Sequence, residues 1–371
     1  MLSWCLLQLR PVRAENAVTY KYVDYREAGD RMVVESQYGM VEHDLSPEMH
    51  LKLTGVIDAL AGATPTGEAP AIPGGTVKKA RISDRRKAWG AELTRTFPRV
   101  AATVGFANSR ESDYVSNGVS LNTITDFNQK NTLLLLGVAA TDDEIKVFHQ
   151  LEWESKRTTD LIVGVTQLLD PRTSVTINLG YGHSTGFHAD PYRIILQATE
   201  VTPGVLLPLT YPENRPTSRD RWTLFTALNR AYPAAHGAIE ASYRFFRDNF
   251  GITAQTVELS WFQKLGTRFT LRPHFRFYDQ SAADFYRIDL NGAGFDALTA
   301  PDPDGPFYSA DYRVSAFRGY TYGLKAIWQI SAQWQIDAAW ENYEMRGTDG
   351  RTSRDMYPRA DIISVGGKFT W

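Results

Sequence analysis

The sequence of 371 residues contains one cysteine, Cys5, and it falls within the first 14 residues. A chain that loses this stretch keeps no thiol, which excludes a disulfide framework, a thiolate metal site and a cysteine nucleophile. It also suits passage through an oxidising compartment. No run of 18 apolar residues occurs, so a helical membrane span is excluded, while a span made of strands is not. Charge of one sign is missing as well. The net charge is −2 and the basic residues are scattered, so no nucleic-acid partner is implied. No nucleophile-elbow Gly-x-Ser-x-Gly, His-Glu-x-x-His metal motif or Walker-type phosphate loop is identified, and no catalytic residue is assigned.

Residues 1–14, MLSWCLLQLRPVRA, are read as a degraded signal peptide: a short apolar run, then Val12, Arg13 and the small Ala14. Residues 15–371 are read as a single barrel domain, because no linker or low-complexity segment divides them.

Aromatic residues are abundant at 12%, with 18 Tyr, 18 Phe and 9 Trp, yet 22% of residues are charged and the mean hydropathy is −0.32. A transmembrane barrel reconciles these figures. It needs apolar side chains only at every second position, plus aromatic girdles at the two interfaces.

Alternation with period two runs through the chain, and helical periodicity is scarce. Phe269, Leu271, Phe275 and Phe277 share one face of a strand, with Arg272, His274 and Arg276 on the other. Ile239, Ala241, Tyr243 and Phe245 alternate with Glu240, Ser242 and Arg244, and Trp334, Ile336, Ala338 and Trp340 with Gln335 and Asp337. Such segments number about sixteen; 117–127 and 131–142 can also be read as one long strand with a lead-in, and dropping or merging segments in this way gives fourteen. Tight turns such as Asp170-Pro171-Arg172 and Leu265-Gly266 follow even-numbered segments. Long polar inserts at 61–85, 143–156, 185–219, 282–311 and 347–359 follow odd-numbered ones. Long loops on one rim and short turns on the other are the mark of outer-membrane barrels. The fold expected is therefore all-β: an antiparallel up-and-down barrel in the cell outer membrane, with long extracellular loops and short periplasmic turns.

The last alternating segment carries Ile363, Val365, Gly367, Phe369 and Trp371 on one face. It resembles the terminal strand read by the outer-membrane assembly machinery, so Phe369 and Trp371 are expected to serve assembly.

Several phrases resemble an uncharacterised family of bacterial outer-membrane barrels known as a domain of unknown function. They are Asp58 to Gly67, Ser109-Arg110-Glu111-Ser112-Asp113-Tyr114, Asn131-Thr132, Asp190-Pro191-Tyr192 and Tyr278 to Tyr286, so the resemblance covers nearly the whole mature chain. It implies the barrel fold and the outer membrane. It supplies no established activity, and the setting of its members implies an envelope protein partner, one linked to redox chemistry.

For sites, the alternation places Arg244, Arg272, His274 and Arg276 on the charged face, with Glu240, Glu258, Asp337 and Glu341 as candidates for the same lumen. Asp302, Asp304 and Asp311 crowd one outward loop, and hard oxygen ligands at that density can hold Ca²⁺. Their Asp-Pro and Asp-Gly pairs are equally turn signals, and no other cofactor is expected. Asp58 to Gly67 reads as a tight loop entry, and His183 and His188 as solvated loop histidines. Three functions follow as expectations. The first is a channel for small polar solutes, constricted by its loops, since a barrel of sixteen strands is wide enough for water. The alternatives are a structural or docking barrel for an envelope partner and, more remotely, an outer-membrane hydrolase.

Overall fold

The computed structural model describes residues 16–29, 31–70, 75–147 and 150–371, so the stretch read as a signal peptide, with Cys5, lies outside the described residues. Eighteen strands follow in chain order: β1 (Ala17–Glu27), β2 (Val33–Ser46), β3 (Met49–Pro65), β4 (Lys79–Thr96), β5 (Val100–Arg110), β6 (Tyr114–Phe127), β7 (Thr132–Lys146), β8 (Trp153–Asp170), β9 (Thr173–Gly186), β10 (Ile194–Thr202), β11 (Val205–Pro212), β12 (Ser218–Tyr232), β13 (Gly237–Asp248), β14 (Thr253–Leu265), β15 (Phe269–Gln280), β16 (Phe317–Gln329), β17 (Trp334–Gly347) and β18 (Arg359–Thr370).

Sixteen of these close an antiparallel barrel in which each strand pairs with its neighbours and β1 pairs with β18, from Ala17↔Thr370 to Glu27↔Ala360. Closure leaves no strand edge with unpaired backbone groups, which is the condition for a sheet to cross a hydrocarbon layer. The segments 117–127 and 131–142 form separate strands, β6 and β7, joined by the turn at 128–130, which settles the count at sixteen.

One register runs around the ring, apart from bulges beside the turns at Asp44–Ser46 and Leu168–Asp170. Tyr20 opposes Gly39, Gly39 opposes Gly55, Gly55 opposes Trp89 and Trp89 opposes Asn108, all facing outward. A slip of one residue anywhere would reverse every side chain beyond it. The outward set is apolar and uncovered by protein: Leu121 is 46% exposed, Val163 50% and Val365 51%.

Aromatic rings border this band. Near the short turns stand Tyr232 and Trp261 with ring centres 5.8 Å apart, and Trp334 and Phe369 at 4.8 Å. Nearer the long loops stand Trp89 and Phe106 at 5.2 Å, and Tyr181 and Trp222 at 4.6 Å. Trp328 and Tyr320 lie on the outward face of β16, eight positions apart. At about 3.3 Å per residue and a tilt of about 40°, that is roughly 20 Å of height, close to the apolar belt of a membrane barrel. Phe369 and Trp371 stack on the turn-side girdle with centres 6.0 Å apart.

The long-loop rim differs from the sequence reading in three ways, the first being that β7 runs to Lys146 and β8 begins at Trp153, so the insert expected at 143–156 shrinks to 147–152. β3 continues to Pro65 and β4 begins at Lys79, so the insert expected at 61–85 shrinks to 66–78, and Asp58 sits in a strand paired to Arg86 rather than at a loop entry. The insert expected at 185–219 carries the β10–β11 hairpin, a separate two-stranded sheet.

Candidate functional site

All eight charged residues expected in the lumen point inward. Glu240 opposes Ser260, Arg244 opposes Thr256, Glu258 opposes Arg276, His274 opposes Gly323 and Gly323 opposes Glu341. Arg272 opposes Lys325, and Asp337 opposes Gly366 on the same face. Three of the eight, Glu258, Arg276 and Asp337, are in close ion pairs across neighbouring strands, as are Lys52 and Glu92 elsewhere on the inward face. Arg276 Nε lies 3.0 Å from Glu258 Oε1, Lys325 Nζ 2.8 Å from Asp337 Oδ1 and Lys52 Nζ 2.9 Å from Glu92 Oε1. The Arg244 guanidinium stands 5.8 Å from the centre of the Phe225 ring.

The wall from β5 to β8 has a different composition. Most of its inward positions are small, namely Thr103, Gly105 and Ala107 on β5, Gly118 and Ser120 on β6, Gly137 and Ala139 on β7 and Gly164 on β8, while Ile124, Leu133, Leu135 and Ile162 are larger and apolar and Asp126 is charged near the turns. A Cβ built on Gly164 would meet Asn178 Oδ1 at 2.2 Å, and one on Gly137 would meet Asn122 Oδ1 at 2.3 Å. These glycines therefore give room for asparagine amides to lie flat along the sheet. Long charged side chains face a low wall across the lumen.

Above the lumen, the long loops interlock. Bonds run between segments whose parent strands are far apart in the ring: Ile194 N–H donates to Thr66 O, Ser353 Oγ to Gly75 O, Tyr308 N–H to Asn214 O and Leu290 N–H to Leu196 O. Apolar residues supply the packing. Val77, Tyr312, Phe317, Met345, Met356 and Tyr357 form one buried cluster, and Ile195, Leu290, Tyr308 and Ala310 another. The result is a cap with small cores of its own.

At the centre of the cap three carboxylates meet three guanidiniums. Arg215 Nη2 bridges Glu213 Oε2 at 2.7 Å and Asp311 Oδ2 at 2.9 Å, Arg313 Nη2 bonds Asp311 at 2.6 Å and also Asp190, and Arg193 Nε stands 4.0 Å from Asp311. Ser309 Oγ completes Glu213 at 2.7 Å. Asp311 is 1% exposed. Burial alone would push its carboxyl up, but Arg313, Arg215 and Arg193 outweigh this and hold it well below the usual carboxylate range. Burial pushes Glu213 up against the pull of Arg215.

The three aspartates read as a calcium loop are therefore not brought together. Asp311 is held by arginines, whereas Asp302 Oδ1 accepts the Asp304 N–H at 2.9 Å in an exposed turn. Among the described residues the carboxylates that do converge are Asp84, Glu111 and Asp113, whose ligand atoms lie within 4.8 Å of one another at the top of β4 and the β5–β6 connection. Burial raises both Glu111 and Asp113, with Asp84 adding to the rise. The second of the phrases behind the family resemblance contains two of them, and nothing in their local pattern separated them from ordinary loop acids.

The histidines also differ from solvated loop residues. His183 lies on β9 and bonds Asp220 Oδ1 at 2.9 Å. His188 is half-buried, with Nε2 2.8 Å from Ser184 Oγ and Nδ1 2.9 Å from Gly186 O. Burial lowers its imidazole to about 4, and Lys156, Arg219 and Arg221 add to the effect. Contrary to the sequence reading, the Gly-x-Ser-x-Gly spacing does occur, at Gly182-His183-Ser184-Thr185-Gly186. It lies within strand β9 rather than on a strand-to-helix elbow, and Ser184 is 3% exposed, so the Ser184–His188 contact fastens the base of the cap.

One protein-family model, described as "Protein of unknown function (DUF3570)", matches residues 6–155 and 147–361. No curated protein matches the sequence. Among solved structures, a bacterial polysaccharide outer membrane secretin is 7% identical, aligned over 97% of this chain and 99% of its own, with a TM-score of 0.51. OccK2 (OpdF) of Pseudomonas aeruginosa, solved in complex with glucuronate, is 10% identical over 96% of both chains, with a TM-score of 0.45. The siderophore receptor PirA of Pseudomonas aeruginosa is 10% identical over 97% of this chain, with a TM-score of 0.42. This chain spans 61% of that receptor, and 53% of PirA from Acinetobacter baumannii. The secretin likeness shows the barrel fold. With a closed ring, an apolar belt between aromatic girdles and long loops on one rim, the chain is an integral β-barrel of the bacterial outer membrane.

Proposed function

As the chain belongs to the family of unknown function DUF3570, we propose that it is an outer-membrane channel for small polar solutes whose extracellular mouth is constricted by its own loops. One observation supports this reading: the inward positions of β5 to β8 are mostly Gly, Ala, Ser and Thr, with Ile124, Leu133, Leu135, Ile162 and Leu168 as the larger apolar ones, so the long charged side chains opposite meet little charge to close against. A barrel plugged by its own side chains would place bulk on every wall. The cap then supplies the constriction, and its balanced ion cluster gives it a closed arrangement that separate loops would lack.

Liposome swelling tests the proposal. Purified protein carrying Asp311→Asn, which removes the anion at the centre of the cap, should admit arabinose faster than the unaltered protein. Swelling no faster than that of empty liposomes in both cases would overturn it.

A docking role has its own support in the β10–β11 hairpin, where Val205 and Leu207 are 46% and 45% exposed and Leu206 reaches 63%. Apolar side chains on a projecting loop fit a protein partner. Crosslinking from the hairpin in whole envelopes should then return one stoichiometric companion, and recovery of assembly factors alone would count against it.

A further inference from the structure

The lumen wall from β15 round to β1 contains a hollow of about 230 Å³. Gly323, Ala339 and Ser364 form its low floor, and Lys21, Arg272, His274, Lys325 and Glu341 stand around it. The charges there do not cancel. Lys325 is paired with Asp337 at 2.8 Å, which leaves Lys21 and Arg272 facing Glu341. Glu341 comes no closer than 3.9 Å to His274 Nδ1.

Both carboxylates are laid back against the sheet. A Cβ on Gly323 would lie 2.6 Å from Glu341 Cγ, and one on Gly366 would lie 3.0 Å from Asp337 Oδ2. The glycines therefore let the acids sit against the backbone. One buried donor, Arg272 Nε, and one buried ring nitrogen, His274 Nδ1, are left without a hydrogen-bond partner among the described residues, as is Asp337 Oδ1, which Lys325 meets as an ion pair. The Arg272 guanidinium is braced 5.3 Å from the centre of the Phe262 ring, which limits how far it can swing. The adjoining pair, Arg276 and Glu258, satisfies itself at 3.0 Å and contributes no surplus. Buried donors are ordinarily paired, and a cationic surplus beside a hollow fits a ligand made of acceptors.

We propose that this hollow is a binding step for an oxyanion, the carboxylate or phosphate group of a small solute in transit, held by the Lys21 ammonium and the Arg272 guanidinium. The inference rests on the channel reading and names the class of solute. A planar oxyanion can take two parallel bonds from a guanidinium, and the lysine adds a mobile point charge. Glu341 and Asp337 keep the local surplus near one unit, so the group can be released again rather than trapped.

Calorimetric titration of the detergent-purified full chain with succinate and with inorganic phosphate tests this without any flux. Saturable binding is expected for at least one probe. Arg272→Gln and Lys21→Gln should each weaken it about tenfold or more, as loss of a charge-assisted contact does. Arg244→Gln, which alters an inward arginine outside the hollow, should leave it unchanged. Either single variant suffices if the other fails to assemble, as judged by heat-modifiable migration. Absence of saturation by both probes, or equal weakening in all three variants, would overturn the site. Binding by these residues without solute flux would sink the channel reading and leave the site standing. Flux with binding indifferent to Lys21 and Arg272 would do the reverse.

Discussion

Arg193 Nη2 donates a hydrogen bond to Thr64 Oγ1 at 3.0 Å, joining the segment after β9 to the top of β3, six strands away around the ring. The same arginine lies over the Tyr312 ring at 5.3 Å and beside Asp311 at 4.0 Å. One side chain thus ties three separate parts of the long-loop rim together.

Asp311→Asn should loosen the cap far more than the removal of a surface pair. It leaves Arg215, Arg313 and Arg193 without their shared anion, and breaking a buried pair costs about 3–5 kcal/mol. Arg157→Gln removes the exposed Arg157–Asp142 pair, which solvent screens, and no measurable change is expected. Limited proteolysis between β9 and β12 should quicken in the first variant and not in the second.

Acid should weaken the cap in a defined window. His188 is neutral in the closed cap with its pKa lowered to about 4, while an opened loop would return it to near its ordinary value of about 6.5. Opening therefore takes up a proton as pH falls from about 6.5 to about 4, so the closed cap is fully favoured above that range and progressively less so within it. Asp311, held low, adds its loss only at still lower pH, and Glu213, raised by burial, works in the opposite direction. Protease sensitivity of the loops should rise as pH falls across this window, and His188→Gln should flatten the rise.

Leu121 and Ser120 separate lipid from lumen by one residue. Leu121 faces outward and is 46% exposed, whereas Ser120 faces Gly105 inside the barrel. Leu121→Arg should cost about 2–4 kcal/mol of stability near mid-membrane, and Ser120→Arg much less. Urea unfolding in lipid vesicles measures both, and equal costs would contradict the assigned faces.

Much of this was legible in the sequence. The parity of Arg272, His274 and Arg276 against Phe275 and Phe277 is the parity of β15. Period two is a local signal, and a barrel repeats it with few exceptions. The cap was not legible, because its partners are distant in the chain: Arg215 and Asp311 are 96 residues apart, and Asp311 shares its local pattern with exposed turn acids. The β10–β11 hairpin did have a signal, since Pro203-Gly204 stands between two apolar runs. The length of the insert as a whole masked it.

Narrowing the low wall should narrow the path. In protein whose hairpin 194–212 has been replaced by a short Gly-Ser turn, Ala139→Trp places an indole in the lumen and should reduce conductance roughly twofold. Val138→Trp, one residue away on the outward face, should leave it unchanged.

Single-channel recording in planar bilayers measures the central claim, a water path closed from above by the loops. The unaltered protein should give small, infrequent openings, and the protein lacking hairpin 194–212 and carrying Asp311→Asn should give steady conductance. A doubly altered protein that inserts, shows the heat-modifiable migration of a folded barrel and still carries no current would contradict it.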